Sequence, residues 1–393
     1  MQNVVIIDAL RTPLGSFGGK FKFITAPDLG SVVIGALFKN NSLNPDIIDE
    51  VIMGNALSAG IGQAPARQAA LKAGLKNTTP CTTVNKVCAS GMKAVMIAMQ
   101  QIASGDTNVM IAGGMESMSN VPYYHPETRF GIKLGHSELQ DGIMRDGLWD
   151  AYKNYPMSKA AELCASTYGI TREEQDEYTV TSYRRAQKAR DRHLFKNEIT
   201  PVKIRNRKGD ADVIISDEEL DRVILDNIAK ATPVFGDEGT ITLANASPIS
   251  DGAAALLLMS EKMADEHGLK PAARLVSQSS TAQAPEWFTT APAEAVSRAL
   301  HRAGKKSSDM DLFEINEAFS VVTLANNRLL KLDPEKVNVH GGAVSLGHPL
   351  GCSGSRILVT LIHALHHHDK TWGCAAISNG GGGASAMVVE RLS

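Results

Sequence analysis

The sequence predicts an α/β layered fold with a duplicated core and an inserted domain. Three observations carry this. Short apolar strands alternate with helical spacings at both ends of the chain. Between about Ser119 and Asn245 the texture changes: Tyr, His, Arg, Asp and Glu become frequent and apolar strands scarce. The second end then echoes the first. Ala89-Ser90-Gly91, a helix, the strand 109–112 and Gly113-Gly114 are matched by Cys352-Ser353-Gly354, the helix 356–365, the strand 374–377 and the glycine run 380–383. The same order at nearly the same spacing marks a repeat, and two glycine-flanked loops then face one site.

The division that follows is 1–118 plus 250–271 for the first half, 119–249 for an inserted loop domain, and 272–393 for the second half. In order, Val4-Val-Ile-Ile reads as a strand, 26–38 as a helix, 51–53 as a strand and 64–73 as a helix. Cys88 follows a short polar turn and precedes the apolar run 94–99, which places it at or just before a helix N-terminus. Residues 108–112 form a strand ending in Gly113-Gly114. In the inserted domain, 170–192 is a long amphipathic helix with Thr171 as its N-cap. The α/β pattern resumes after Ser250-Asp-Gly with the strand 253–259 and continues to the end.

Composition narrows the function. The 393 residues are 43% apolar and 21% charged with a net charge of −2, ordinary for a soluble globular chain. With no basic tract, a nucleic-acid surface of the usual kind is not expected. The five cysteines show no CxxC pair and no zinc spacing, so they read as reduced and intracellular. No signal peptide and no apolar segment of spanning length is visible, so the expected location is the cytoplasm, away from membranes.

Four places look chemical. A thiol at a helix N-terminus meets free N–H groups and the positive end of the dipole, which lower its pKa and make a nucleophile. Cys88 is therefore a candidate acyl acceptor; the other reading is an inert core cysteine. Asn316 stands where a strand gives way to a helix, either as a ligand-binding side chain or as an N-cap. His348 lies in a glycine-dense loop and is a candidate general base. Ser378-Asn-Gly-Gly-Gly-Gly offers bare N–H groups for an oxyanion hole. No GxxxxGK[ST] phosphate loop is present. His363, His366, His367 and His368 cluster at a helix end; a metal site is one reading, and the helix dipole's preference for cations is the other.

These residues resemble the thiolases, of the acetyl-CoA acetyltransferase (acetoacetyl-CoA thiolase) type. The likeness covers essentially the whole chain. It lies in Arg11-Thr-Pro, Asn85-Lys-Val-Cys-Ala-Ser-Gly-Met-Lys-Ala, Gly113-Gly-Met-Glu-Ser-Met-Ser, Asn245-Ala-Ser with Asp251-Gly-Ala-Ala-Ala, Asn316-Glu-Ala-Phe, Gly347-His-Pro-Leu-Gly-Cys-Ser-Gly and the C-terminal glycine run. The resemblance implies a duplicated five-layer α/β/α/β/α core with an inserted loop domain, and a homotetramer built as a dimer of dimers. It implies Claisen condensation of two acetyl-CoA molecules to acetoacetyl-CoA and CoA, or the reverse thiolysis, in lipid metabolism. No metal and no cofactor beyond the coenzyme A thioester substrate is implied.

By the same resemblance Cys88 carries the acetyl group and His348 takes its proton. Asn316 holds a water that stabilises the enolate, and the N–H groups of Cys88 and Gly380 form the oxyanion hole. Ser247 is the implied pantetheine contact and Arg222 the adenine contact. Leu148, Met157, Phe235, Ala318 and Phe319 are the implied apolar lining. The family's second catalytic cysteine falls at Ser378, which implies an impaired variant, natural or engineered. Pro156 before Met157 is more like the broad-range 3-ketoacyl-CoA thiolases. Leu220 replaces the tyrosine of potassium-activated members, and Leu243 a small residue beside pantetheine. Two further readings stand beside the acetyltransferase. One is a decarboxylating ketoacyl synthase, which lacks an Asn-Glu-Ala-Phe block. The other is a non-catalytic CoA-binding protein, which has no need of Cys88, Asn316 and His348 together.

Overall fold

The computed structural model describes residues 2–205, 211–236 and 238–392. The first half of the core contains β1 (Val4–Arg11), α1 (Ala26–Asn40), β2 (Glu50–Gly54), α2 (Pro65–Lys72), β3 (Cys81–Val84), α3 (Ser90–Ser104) and β4 (Val109–Ser117). The inserted region contributes α4 (Met157–Tyr168) and α5 (Arg172–Asp191). Then follow β5 (Ser250–Ser260), β6 (Ala273–Ala282), α6 (Ala291–Arg302), β7 (Leu312–Ile315), α7 (Ser320–Leu330), α8 (Leu350–His367), β8 (Trp372–Asn379) and β9 (Gly383–Arg391).

The strands run in the order β7-β8-β9-β6-β1-β5-β4-β2-β3. The middle is a short seam, where Val4–Ile6 of β1 pair with 273–275 of β6. Read outward from it, both halves have the same sequence of pairings. On one side β1, β5 and β4 are antiparallel, and β2 and β3 then join parallel. On the other, β6, β9 and β8 are antiparallel and β7 joins parallel. Outside β7, where a fifth strand would lie, Val337 makes a single parallel bridge to Phe313.

The layers follow from which faces are apolar. Leu29, Val33, Ile34 and Leu37 of α1 pack with Ala66, Ala69 and Ala70 of α2 on Val51, Met53, Ile111 and Leu257 of the first sheet half. Ala295, Val296 and Ala299 of α6 pack on Phe313, Ala376 and Val388 of the second. Between the halves lie α3 and α8, with Val95, Ile102, Ile357 and Leu361 among Ile52, Leu256, Ile377 and Met387. Every position of β5 is buried, as its unbroken apolar run requires. This is a five-layer α/β/α/β/α core. Thr171 caps α5 with a full capping box to Glu174.

Two expectations change. Gly113-Gly114 does not end its strand: β4 continues to Ser117. A Cβ on Gly114 would lie 2.0 Å from the Gly351 carbonyl, so glycine is there to admit the start of α8. And Cys352-Ser353-Gly354 is not a loop ahead of the helix but lies within α8, which begins at Leu350, six residues earlier than its spacing predicts. Gly354 sits at the crossing with α3, where a Cβ would come 2.5 Å from the Met92 nitrogen. Bare glycine lets the two central helices touch.

Candidate active site

The loop before α3 is fastened at each turn. Val87 N–H donates to Asn85 Oδ1 (2.9 Å), and Lys86 N–H donates to Ser90 Oγ (2.8 Å), whose hydroxyl donates to the Val87 carbonyl. Val87 takes φ 49°, a left-handed conformation rare for a β-branched residue. Such strain costs about 1–3 kcal/mol and persists only where neighbours fix it. The loop presents Cys88 two residues ahead of α3, partly open to a cavity.

The expected low thiol pKa is not found. Burial pushes the Cys88 thiol up to about 12, and Glu116 adds to the rise. The N–H groups of Gly380 and of Cys88 itself reach the sulfur and pull the other way. Burial also pulls His348 down to about 3, helped by Arg356. The helix end is real, but desolvation outweighs it. Both groups are therefore neutral at rest, and the charge forms only when a proton moves.

His348 is held in one orientation. Its Nδ1 lies 2.6 Å from Ser353 Oγ, and that hydroxyl donates to the Pro349 carbonyl (2.9 Å). The single serine proton is so used, and Nδ1 carries its own hydrogen. Nε2 is then a bare acceptor, and it has no protein partner among the described residues.

Asn316 directly follows β7, and Ser378 is the last residue but one of its parallel neighbour β8, where Ile315 pairs with Ala376. Asn316 N–H donates to the Ala376 carbonyl (2.9 Å). Asn316 is not an N-cap, because α7 begins at Ser320 after Phe319. Its side chain is 1% exposed, as is that of Ser378. Neither the Asn316 amide atoms nor Ser378 Oγ has a hydrogen-bond partner among the described residues. Buried polar atoms left so cost about 1–3 kcal/mol each and point to a ligand.

One cavity of about 450 Å³ joins Cys88, His348 and Gly380 to Leu148, Met157, Ser247, Ala318 and Phe319. Ser247 is pinned by its N–H and hydroxyl, both donating to the Ala318 carbonyl (3.1 and 2.9 Å). Leu243 lines the mouth and is 86% exposed. Asn316 and Ser378 are not on the cavity lining, although Ala318 and Gly380, two positions on from each, are. Phe235 and Arg222 are not on it: the Lys159 ammonium stands 5.0 Å over the Phe235 ring, and Arg222 is exposed at the end of the short helix Glu219–Arg222. Leu220 is a core residue among Leu14, Tyr183 and Phe195. The histidines pack ring to ring, His367 against His363 and His340, and His368 against His340, while His363 and His366 also face the Ala9 and Ala272 carbonyls. Among the described residues no group of three or more His, Cys, Asp or Glu is set to hold a metal ion.

Three supporting residues escaped the sequence reading. Glu116 accepts from the N–H groups of Ala56 (2.9 Å), Leu57 (3.2 Å) and Gly351 (2.8 Å), and so ties the first half to the start of α8. Glu317 accepts from Tyr178 (2.7 Å), Ser182 (2.9 Å), Asn338 (2.9 Å) and Val344 N–H (3.0 Å), fastening the Asn316 loop to α5 and to the glycine-dense loop. Ser353 orients His348. Glu116 and Glu317 were visible as acids inside apolar blocks, a signal for buried anchors; Ser353 carried none.

A partly open thiol backed by two N–H groups, an unpaired imidazole nitrogen and an apolar slot form the site of a cysteine-dependent acyl-transfer enzyme. The chain belongs to the thiolase family: its N-terminal domain model matches residues 4–262 and its C-terminal domain model residues 269–391. It is 50% identical over 390 residues to an acetyl-CoA acetyltransferase of Schizosaccharomyces pombe, covering 99% of both chains. It is 51% identical to acetyl-CoA acetyltransferase 1 of Arabidopsis thaliana, covering 100% of this chain and 95% of that one. The Acat5 thiolase of Ascaris suum, solved in complex with coenzyme A, superposes with a TM-score of 0.94 at 44% identity over the whole of both chains.

Proposed function

We propose that this chain is an acetyl-CoA C-acetyltransferase that works through an acetyl group on Cys88. The observation that carries this is the meeting, in one cavity, of the Cys88 sulfur with the Gly380 N–H and the lone Nε2 of His348. The Cys88 proton passes to Nε2 and the sulfur attacks the thioester carbonyl. The oxyanion is received by the Cys88 and Gly380 N–H groups, worth about 10²–10³ in rate for one donor. The bond to the CoA sulfur breaks, and that sulfur takes the proton from His348. The second acetyl-CoA then loses a methyl proton toward the Ser378 position, and its enolate oxygen is held on the Asn316 and His348 side. Enolate carbon attacks the acetyl carbonyl, the bond to the Cys88 sulfur breaks, acetoacetyl-CoA leaves, and the Cys88 thiolate takes up the methyl proton.

Ser378 limits the second half-reaction. A thiol titrates near 8.5, whereas an aliphatic hydroxyl is several units less acidic and remains uncharged. The lining residues Leu148, Met157 and Phe319, with Ser247 at the cavity wall, are read as the pantetheine slot. The exposed Phe130 and Leu134 support assembly into a homotetramer, and five unpaired cysteines support a reducing, cytoplasmic setting. No helix among the described residues is long and apolar enough to cross a membrane. Peptide mapping after incubation with acetyl-CoA tests the reading: the acetyl group is expected on Cys88, and its appearance only on Cys352 or Cys374, or nowhere, overturns it.

A further inference from the structure

Arg356 on α8 is 0% exposed and Glu314 on β7 is 1% exposed. They face each other at 3.5 Å. Neither the three guanidinium nitrogens nor the two carboxylate oxygens have a hydrogen-bond partner among the described residues. The same interior treats another arginine quite differently: Arg11 donates to Glu198 (2.5 Å) and with two nitrogens to Asp217 (2.7 and 2.9 Å). A buried pair without hydrogen bonds does not recover its desolvation cost, so stability does not account for it. Placement does. Glu314 lies on β7 two residues before Asn316, which follows the strand. Arg356 follows Ser353, the residue holding His348, by about one turn of α8.

We propose, on the acyl-transfer reading of the site, that Arg356 and Glu314 form a buried charge pair that acts through space on His348, as positioning residues for its proton transfer. The cation opposes the imidazolium that forms when Cys88 gives up its proton, and Arg356 is among the causes that hold His348 low. Burial raises Glu314 to about 8. Below that pH the carboxyl is uncharged and the cation stands unopposed. Above it the carboxylate offsets the cation, and the imidazolium costs less.

The other charged groups facing Glu314 are Glu317, Glu198 and Arg185. Glu317 is held by four donors, Glu198 by Arg11, and Arg185 by the Val337 and Pro334 carbonyls and Glu335. The Cys352 thiol also faces Arg356 and is pushed up to about 12. Glu116, which faces Cys88, is raised to about 7. All of these are the same in the native chain and in a Glu314 variant, so they cancel in a ratio of the two.

The experiment is the pH profile of labelled CoA exchange into acetyl-CoA, a step that uses Cys88 and His348 alone. Glu314→Gln is expected to match the native rate at about pH 6.5 and to fall behind by roughly threefold or more at about pH 9.5. Arg356→Met is expected to flatten the same rise, and Arg356→Lys to keep it. If Arg356→Met does not fold, Glu314→Gln decides. A native-to-Gln ratio that stays constant across this range, with exchange intact, overturns the role of the pair alone. No exchange and no acetyl-Cys88 in the native chain overturns the acyl-transfer reading, and the pair's role with it.

Discussion

Cys88 and His348 each stand two residues ahead of a central helix, α3 from Ser90 and α8 from Leu350. The two helix ends are furnished in opposite ways. Around Cys88 the nearby backbone offers N–H groups, its own and that of Gly380, which receive negative charge. Around His348 the backbone and Ser353 offer acceptors, which polarise Nδ1–H and leave Nε2 to receive a proton. Duplication supplied two similar helix ends on packed helices. A handful of residues then fitted one end to receive negative charge and the other to receive a proton.

The sharpest way to break this comparison is to set two cysteines against each other. Burial pushes both the Cys88 and Cys352 thiols up to about 12, but Cys88 has the N–H donors and the cavity. Cys88→Ala is expected to lower kcat by roughly 10⁴–10⁶, the scale for losing a nucleophile. Cys352→Ala is expected to stay within a few-fold; comparable losses in both would mean that the helix-end donors do not select the nucleophile. Next in size is Ser378→Cys. Restoring an acid–base group there is expected to raise acetoacetyl-CoA turnover by about 10²–10⁴, with CoA exchange within threefold of the parent. Equal rates in the turnover assay would show that another group is the base.

Ser353→Ala probes the base side. It leaves Nδ1–H without its acceptor and frees the tautomer, so kcat is expected to drop about 10–100-fold, the scale known for partners that orient a metal-ligating histidine, with KM little changed. A change in KM alone would place Ser353 in binding instead. The smallest effect is expected at Arg222, exposed and far along the chain from either helix end. Arg222→Ala is expected to raise KM for acetyl-CoA by no more than about fivefold, the worth of one exposed charge. A loss in kcat would show that the loop domain reaches the chemistry.

Much of this was legible beforehand, for identifiable reasons. Apolar runs such as 253–259 and 374–377 have one stable fate, a strand buried on both faces. Thr171 and Glu174 cap a helix through bonds between neighbours in sequence. The turn before 94–99 had to leave Cys88 at a helix end. What misled was local evidence read without the third dimension. Gly113-Gly114 looked like a strand's end because its partner, Gly351, comes from the far half of the chain. Cys352-Ser353-Gly354 looked like a loop because its glycine answers α3 across a helix crossing.

The sequence by itself determined the alternation of strands and helices and the repeat, because these rest on periodicity and turns within a few positions. The five layers and the candidate set Cys88, Asn316 and His348 came through its likeness to the thiolases. The tertiary structure decided the protonation of the pair, the orientation of His348 and the clamps of Glu116 and Glu317. Those depend on desolvation and on partners such as Glu116 and Gly351, 235 residues apart. A helix dipole can be read from neighbours along the chain, but the loss of water that overrides it at Cys88 exists only once the two halves have closed.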